Sequence, residues 1–255
     1  MDSLAAPPLP YLACRFRNMP NRRHRSASTV KAATMKQQVL VGWSGGKDSC
    51  LALQELLRQP DWEVVALVST ITEGYERLSM HGVRVELIRQ QAASLGIPLV
   101  EARIPPNASN LVYEAALEQA VQPFLMQGVR LMAFGDLFLT DIRRYRETVL
   151  ARWSMAAIFP IWGRNTTELA REFVDRGFRA IVVCVDPRQI SSELCGRDYD
   201  SQFLANLPPT ADPCGENGEF HTFVYDGPIF HKAVAAQRGA IVHRDGFCFC
   251  DLVPR

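Results

Sequence analysis

From Val39 onward, short apolar runs alternate with longer stretches whose apolar positions recur at helical spacing. Val39-Leu40-Val41 is a compact apolar run followed at once by glycines, which reads as a buried strand ending in a turn. Trp62 to Thr70, Pro98 to Ile104, Val129 to Phe134, Ala156 to Pro160 and Phe178 to Val185 repeat the strand signal. Helical stretches fall between them: Ser49 to Arg58, Val83 to Leu95, Asn107 or Ser109 to Gln127, Ile142 to Trp153, and Thr166 or Thr167 to Asp175. Gly96, Gly128 and Gly177 stand where helices should stop. This alternation predicts an α/β fold, a doubly wound parallel sheet of Rossmann-like type with helices on both faces. Right-handed crossovers then bring every loop that follows a strand to one sheet edge, where ligands bind in such folds. The pattern is less regular from Asp186 to Arg255. We therefore divide the chain into an N-terminal extension (1–36), a sheet domain (37–185) and a smaller irregular C-terminal lobe (186–255).

Composition narrows the function classes. Of 255 residues, 47% are hydrophobic, enough for a substantial core, and the formal net charge of +1 favours neither nucleic acid nor a membrane surface as partner. No apolar run approaches the roughly 20 residues of a spanning helix. Seven cysteines without regular spacing read as reduced thiols of a cytoplasmic chain. His243, Cys248 and Cys250 offer only three soft ligands at the wrong spacing for zinc, so the cysteines read as inert. The first 35 residues carry Arg15, Arg17, Arg22, Arg23, Arg25 and Lys31 against Asp2 alone, and four prolines. They read as a tail or an extension upstream of Met35, with a transit peptide as the alternative, and are dispensable for the fold.

The turn after the first strand carries the candidate chemistry. Ser44-Gly45-Gly46-Lys47-Asp48-Ser49 places two glycines and two hydroxyls at the start of a helix. Glycines let backbone N–H groups approach an anion, and the helix N-terminus adds free donors and a positive dipole end. A P-loop needs Ser or Thr directly after its Lys, where this chain has Asp48. Gly42-Trp43-Ser44-Gly45-Gly46 formally fits a nucleophile elbow, but an elbow needs an oxyanion loop on an earlier strand. What fits is a pyrophosphate-binding loop of the SGGxDS type, the signature of the ATP pyrophosphatases. Far downstream, Asp212 to Thr222 packs three acids, a histidine, a thiol and two glycines into eleven residues. Alone it reads as a surface turn or as the groups a nucleotide enzyme needs for its second substrate.

These residues resemble the diphthine–ammonia ligase (diphthamide synthase) family within the adenine nucleotide alpha-hydrolase-like fold. More closely, the chain looks like the bacterial branch of ATP pyrophosphatases related to that ligase. The resemblance spans Val39 to Phe230. It rests on the Ser44–Ser49 loop, Met80-His81-Gly82, Phe134-Gly135-Asp136 followed by Asp141-Ile142-Arg143, and Gly215-Glu216-Asn217-Gly218-Glu219-Phe220-His221-Thr222. The eukaryotic and archaeal ligases carry a Glu-Gly-Gly-Glu-Tyr-Glu-Thr type of run at the last motif. Here Asn217 replaces a Gly and His221 the final Glu, which points to an acceptor other than diphthine.

The resemblance implies an enzyme that adenylates a carboxylate with ATP, releases pyrophosphate and forms an amide with ammonia or an amine. Ser44, Gly45, Gly46, Lys47 and Ser49 would hold the phosphates, and Asp48 would either carry Mg²⁺ or act only as a helix N-terminal acid. Val68, Ser69 and Thr70 would face adenine or ribose, with Gly135 and Asp136 on the same edge. Lys47 and Asp48 would act with Glu216, Glu219 and His221, the last three toward the acceptor or incoming amine; His81 reads as a buried or capping residue. The partners implied are ATP, an unidentified carboxylate substrate and ammonia or an amine, without membrane or nucleic acid. Two other functions share these features: an ATP- or AMP-binding regulatory module without turnover, and a tRNA-thiolating enzyme of the same superfamily.

Overall fold

The computed structural model describes residues 36–79 and 81–255. The expectations for the N-terminal extension, and Met80 of the Met-His-Gly motif, lie outside the described residues. Among the described residues no helix is long and apolar enough to cross a membrane.

The first sheet is parallel at its centre. β1 (Gln37–Gly42) pairs with β2 (Trp62–Thr72) on one side and β5 (Leu131–Ala133) on the other. β4 (Leu99–Ile104) extends the sheet beyond β2, and β6 (Ala156–Ile158) extends it beyond β5, all parallel. The two residues of β3 (Arg77–Leu78) fold back antiparallel on the end of β2. The order β4-β2-β1-β5-β6 reverses direction between β1 and β5. That reversal opens a crevice at the carboxyl ends of these two strands, where doubly wound sheets take their ligands.

Alternate residues of one strand feed different cores. Val39 and Val41 of β1 join a core with α1 (Lys47–Leu57), α2 (Val85–Leu95) and α5 (Thr166–Asp175). Leu40 joins a second core with Leu117 and Val121 of α3 (Asn110–Met126) and Leu150 of α4 (Thr140–Arg152). Both faces of β1 are covered, which is why its sequence is continuously apolar rather than alternating. The expected helix boundaries hold to within a few residues. Ser109 caps α3 by accepting from the Val112 N–H, and Gly96 closes α2 in the left-handed region at φ 68°. At α5 the cap is Asn165, which accepts from the Glu168 N–H, rather than Thr166 or Thr167.

The sequence expectation fails at the last strand. β7 (Arg179–Val185) does not extend the parallel sheet. It lies in a second, antiparallel sheet of order β8-β7-β10-β9, with β8 (Phe220–Asp226), β9 (Ala236–Arg244) and β10 (Phe247–Pro254). Strand–helix alternation carries no information on which edge the next strand joins. Partners more than thirty residues downstream, β8 and β10, decide it. The C-terminal lobe is thus more regular than its sequence pattern implies, and its aromatic core of Tyr199, Phe203, Phe220 and Phe223 is continuous with Val39 and Val41.

Candidate active site

The Ser44–Ser49 loop leaves β1 at the crevice and runs straight into α1. Its hydroxyls are organised internally: the Gly46 N–H donates to Ser44 Oγ (3.3 Å), Ser44 Oγ to Ser49 Oγ (3.1 Å) and Ser49 Oγ to the Gly46 carbonyl (2.9 Å). Gly45 sits at φ 70°, and a Cβ there would lie 2.6 Å from Gln91 Oε1. The loop is held from behind by a side chain that no sequence signal marked. Gln91 of α2, fully buried, accepts from the Trp43 indole N–H (2.9 Å) and donates to the carbonyls of Gly45 (2.9 Å) and Val224 (2.6 Å). It fastens α2, the loop and β8 together. Gln91→Leu would leave the indole N–H and the Val224 carbonyl buried without this partner, and each such group costs about 1–3 kcal/mol. Chemical denaturation should show a loss of at least about 2 kcal/mol; a variant within experimental error of the parent would show that the clamp carries no load.

Around the loop lies a cleft of about 540 Å³. Ser44, Gly46, Lys47, Asp48 and Ser49 line it, together with Gly135 and Asp136 after β5, and Glu216 and His221 from the distant segment. Gly135 is there for a steric reason: a Cβ would lie 2.7 Å from the Asp48 carbonyl carbon and 2.9 Å from the Ser49 nitrogen. Only glycine lets β5 close on the first turn of α1. Asp136 is held by Arg146 of α4 in a bidentate pair (2.6 and 3.1 Å), and the guanidinium lies over the Phe134 ring. Arg146 also lines the cleft, whereas Arg143 pairs with Glu147 and stacks over Phe159 and Trp162.

Three expected site residues point elsewhere. Ser69 is buried, and its hydroxyl donates to the Trp43 carbonyl (2.7 Å); strand alternation gives the cleft to Val68 and Thr70 instead. Glu219 is also buried. It accepts from the N–H groups of Asp212 (2.8 Å) and Asn217 (3.0 Å) and from the Asn217 amide (3.1 Å), so it shapes the 212–219 turn from within. Lys47 reaches away from the loop hydroxyls. Its ammonium pairs with Asp48 (2.8 Å), donates to the Cys214 carbonyl, and lies over the Tyr199 and Phe220 rings. It is a strut between the loop and the C-terminal lobe, a job that the Lys47 N–H bond to Thr222 Oγ1 (3.1 Å) reinforces.

The electrostatics follow from burial. Burial works against the Lys47 ammonium, but the adjoining Asp48 carboxylate more than offsets it and holds the amine protonated. Burial pushes the Asp48 carboxyl up, and Lys47 pulls it back. One oxygen of that carboxylate, Oδ1, is buried with no partner among the described residues. The His81 and His221 rings lie with centroids 4.3 Å apart, tilted by 44° to each other. Burial lowers His81 to about 4 and His221 well below its ordinary value, Lys47 adding to both and His81 to His221, so both are neutral at pH 7. Burial raises Glu216 to about 7, although the Leu137 N–H donates to it at 2.7 Å.

Glu216 should leave a pH signature. Its folded carboxyl keeps a proton up to about pH 7, whereas the unfolded one releases it near 4.5. The native state therefore binds more protons between these values, and stability falls as pH rises through that window. Glu216→Gln keeps an acceptor for Leu137 and removes the titration. Its Tm should exceed the parent's at about pH 8.5 and approach it at about pH 5. An equal gap at both pH values would mean that the carboxyl titrates normally.

With the loop, Gly135-Asp136 and the Glu216–Thr222 run on one cleft, the comparison with known proteins becomes specific. Residues 35–155 match the diphthamide synthase N-terminal domain, and residues 165–252 match the diphthamide synthase C-terminal domain. The chain belongs to the diphthamide synthase family. The human protein named diphthine–ammonia ligase is 28% identical over 222 residues, 78% of this chain and 82% of that protein. The rat protein of the same name is 25% identical over 78% of this chain and 83% of its own length. The fission yeast one is 24% identical over 80% of this chain but only 37% of its own length, so this chain spans well under half of that relative. In this diphthamide synthase family member, the first matched domain supplies the loop and the β5 edge, and the second supplies Glu216, His221 and Thr222.

Proposed function

We propose that the cleft adenylates a carboxylate with ATP and passes the acyl group to ammonia or an amine. The enzyme class is that of the family, an ATP-dependent amidating ligase. One observation carries the site assignment: the phosphate-type loop, Asp136 and the Glu216–Thr222 run, far apart in the sequence, line a single cleft at the sheet's reversal point.

The apolar lining from Val68, Leu117, Met132, Phe134 and Ile142 suits an adenine ring. The α1 N-terminus and the hydroxyls of Ser44 and Ser49 suit the phosphates. The charged groups on the cleft balance one another: Lys47 is spent on Asp48, and Arg146 on Asp136. A triphosphate therefore needs added positive charge. Asp48 Oδ1, buried and unpartnered, is a fitting single carboxylate ligand for Mg²⁺, which takes few carboxylates and fills its shell with phosphate oxygens and water. When bound there, Mg²⁺ would neutralise charge on the departing pyrophosphate.

In the first step an acceptor carboxylate oxygen bonds to the α-phosphorus, the bond from that phosphorus to the bridging oxygen breaks, and pyrophosphate leaves with the electron pair. Ammonia then attacks the acyl carbon, AMP leaves, and one proton must be removed from nitrogen. Glu216, with its carboxyl near 7, is the better-matched proton acceptor, and neutral His221 offers a lone pair on the same cleft. The buried thiols among the described residues fit a reducing compartment, the cytoplasm. Diphthine is the acceptor named for the relatives; His221 and Asn217 favour a different one here.

The test is AMP and pyrophosphate release from ATP and Mg²⁺ with pooled carboxylates, with and without ammonium. Ammonium-dependent AMP from at least one pool is expected. ATP binding without AMP from any pool would refute the ligase and leave a nucleotide-binding module.

A further inference from the structure

A second cavity of about 470 Å³ adjoins the nucleotide cleft and shares Leu78, Ser79 and His221 with it. Its walls come from the end of β2, the β4–α3 turn and the β9–β10 hairpin. None of the residues invoked above for ATP lies in it, and His221, assigned above to the acceptor step, does. A two-substrate ligase needs such a neighbour, because the acceptor must reach the α-phosphate without occupying the adenine pocket.

The charge of this cavity is specific. Two guanidiniums, Arg77 and Arg244, face it against one carboxylate, Asp245. Arg77 is already engaged: it donates to the Gly82 carbonyl (2.7 Å) and to Asp251 (2.8 Å), which Arg84 also holds. Arg244 is not. Its one ion-pair partner among the described residues is Asp245 at 3.4 Å, and both side chains are more than half exposed, so the pair is worth little. Yet Arg244 is well placed. Asp245 (φ 53°) and Gly246 (φ 82°) close the β9–β10 hairpin as a two-residue turn of type I′, which fixes Arg244 opposite Phe247. The guanidinium lies 5.2 Å from the Phe249 ring centroid, and Phe247, Phe249 and Tyr75 supply apolar wall. His221 lies on β8, the edge strand of the second sheet opposite Arg244 on β9, and lines both the cavity and the cleft.

A cation at one end, apolar walls between and an entrance to the adenylation site at the other define a ligand. Resting on the ligase reading above, we propose that this cavity is the acceptor site, and that the acceptor is a small molecule with two carboxylates joined by an apolar spacer. One carboxylate passes Ser79 and His221 to be adenylated. Arg244 holds the other, as a planar fork suited to a carboxylate.

The test uses the full chain saturated with Mg²⁺ and α,β-methylene-ATP, whose own binding is measured first. Succinate, glutarate, adipate and phthalate are titrated calorimetrically beside butyrate, pentanoate, hexanoate and benzoate. At least one dicarboxylate should bind about tenfold or more tighter than its monocarboxylate counterpart, the size expected of a charged hydrogen-bonded contact. Arg244→Gln should erase that preference and leave analogue affinity within twofold, and Arg244→Lys should restore part of it. Equal affinity for the two sets, a preference that survives Arg244→Gln, or dicarboxylates that displace the ATP analogue would each overturn the proposal. Failure of every small dicarboxylate while the analogue binds would overturn the acceptor site alone and favour a protein-borne carboxylate. Failure of the analogue itself would overturn the ligase reading and this site with it.

Discussion

Asp48→Asn is expected to lower AMP formation by about 10²–10³ and to lower stability by about 3–5 kcal/mol, and the two losses have different causes. The stability loss arises because Lys47 is buried and its ammonium would lose its only carboxylate partner among the described residues, keeping the Cys214 carbonyl and two aromatic faces. Removing one member of a buried pair strands the other charge in a poor dielectric. The activity loss arises because Asp48 Oδ1, the unpartnered oxygen, disappears as an anionic ligand. A second variant separates these. Lys47→Met with Asp48→Asn removes both charges and should recover most of the stability, while AMP formation stays at the level of Asp48→Asn. Thermal denaturation and an AMP assay on both variants settle the matter. Recovery of activity together with stability would mean that Asp48 serves only its neighbour. Unchanged ATP binding and turnover in Asp48→Asn would remove the metal role altogether.

Gly135→Ala is expected to cost at least about a hundredfold in AMP formation from one methyl group, with a stability loss of about 1–3 kcal/mol. The added Cβ would lie 2.7–2.9 Å from three backbone atoms of Asp48 and Ser49. Backbone cannot swing aside as a flexible side chain can, so α1 and β5 must separate. That shift moves the loop hydroxyls and the helix N-terminus relative to Asp136, and small displacements of positioning groups carry large rate penalties. The telling readout is ATP-analogue affinity beside Tm. Lost affinity with a modest drop in Tm fits a displaced loop, whereas parental affinity would show that the crevice tolerates the methyl.

The loop was legible because its chemistry is local. Glycines, hydroxyls and a helix start within six residues suffice to describe an anion site, and the strand before it marks the sheet edge. The Glu216–Thr222 run was legible as chemistry but not as geometry. Glu216 and Glu219 are both acids in one short turn, yet Glu216 lines the cleft and Glu219 knots the turn from inside. Two acids three residues apart in an irregular segment have no periodicity that assigns their directions. Ser69 shows the same limit on a strand, since alternation says that it opposes Val68 and Thr70 but not which face holds the ligand.

Sequence by itself determined the strand–helix alternation, the doubly wound sheet around β1, the glycine- and hydroxyl-rich turn at its end and the absence of any spanning apolar run. These rest on interactions within about a dozen residues and on handedness rules. Tertiary structure alone decided that β7 leaves the parallel sheet for an antiparallel one, that the Lys47 ammonium meets Asp48 and the Cys214 carbonyl, and that Gln91 clamps the loop from behind. It also decided that Arg244 comes to face a cavity joined to the nucleotide cleft at His221. Each of these depends on which distant groups meet, and burial then sets their charge. That is also why burial keeps two histidines neutral and raises a glutamate carboxyl to about 7.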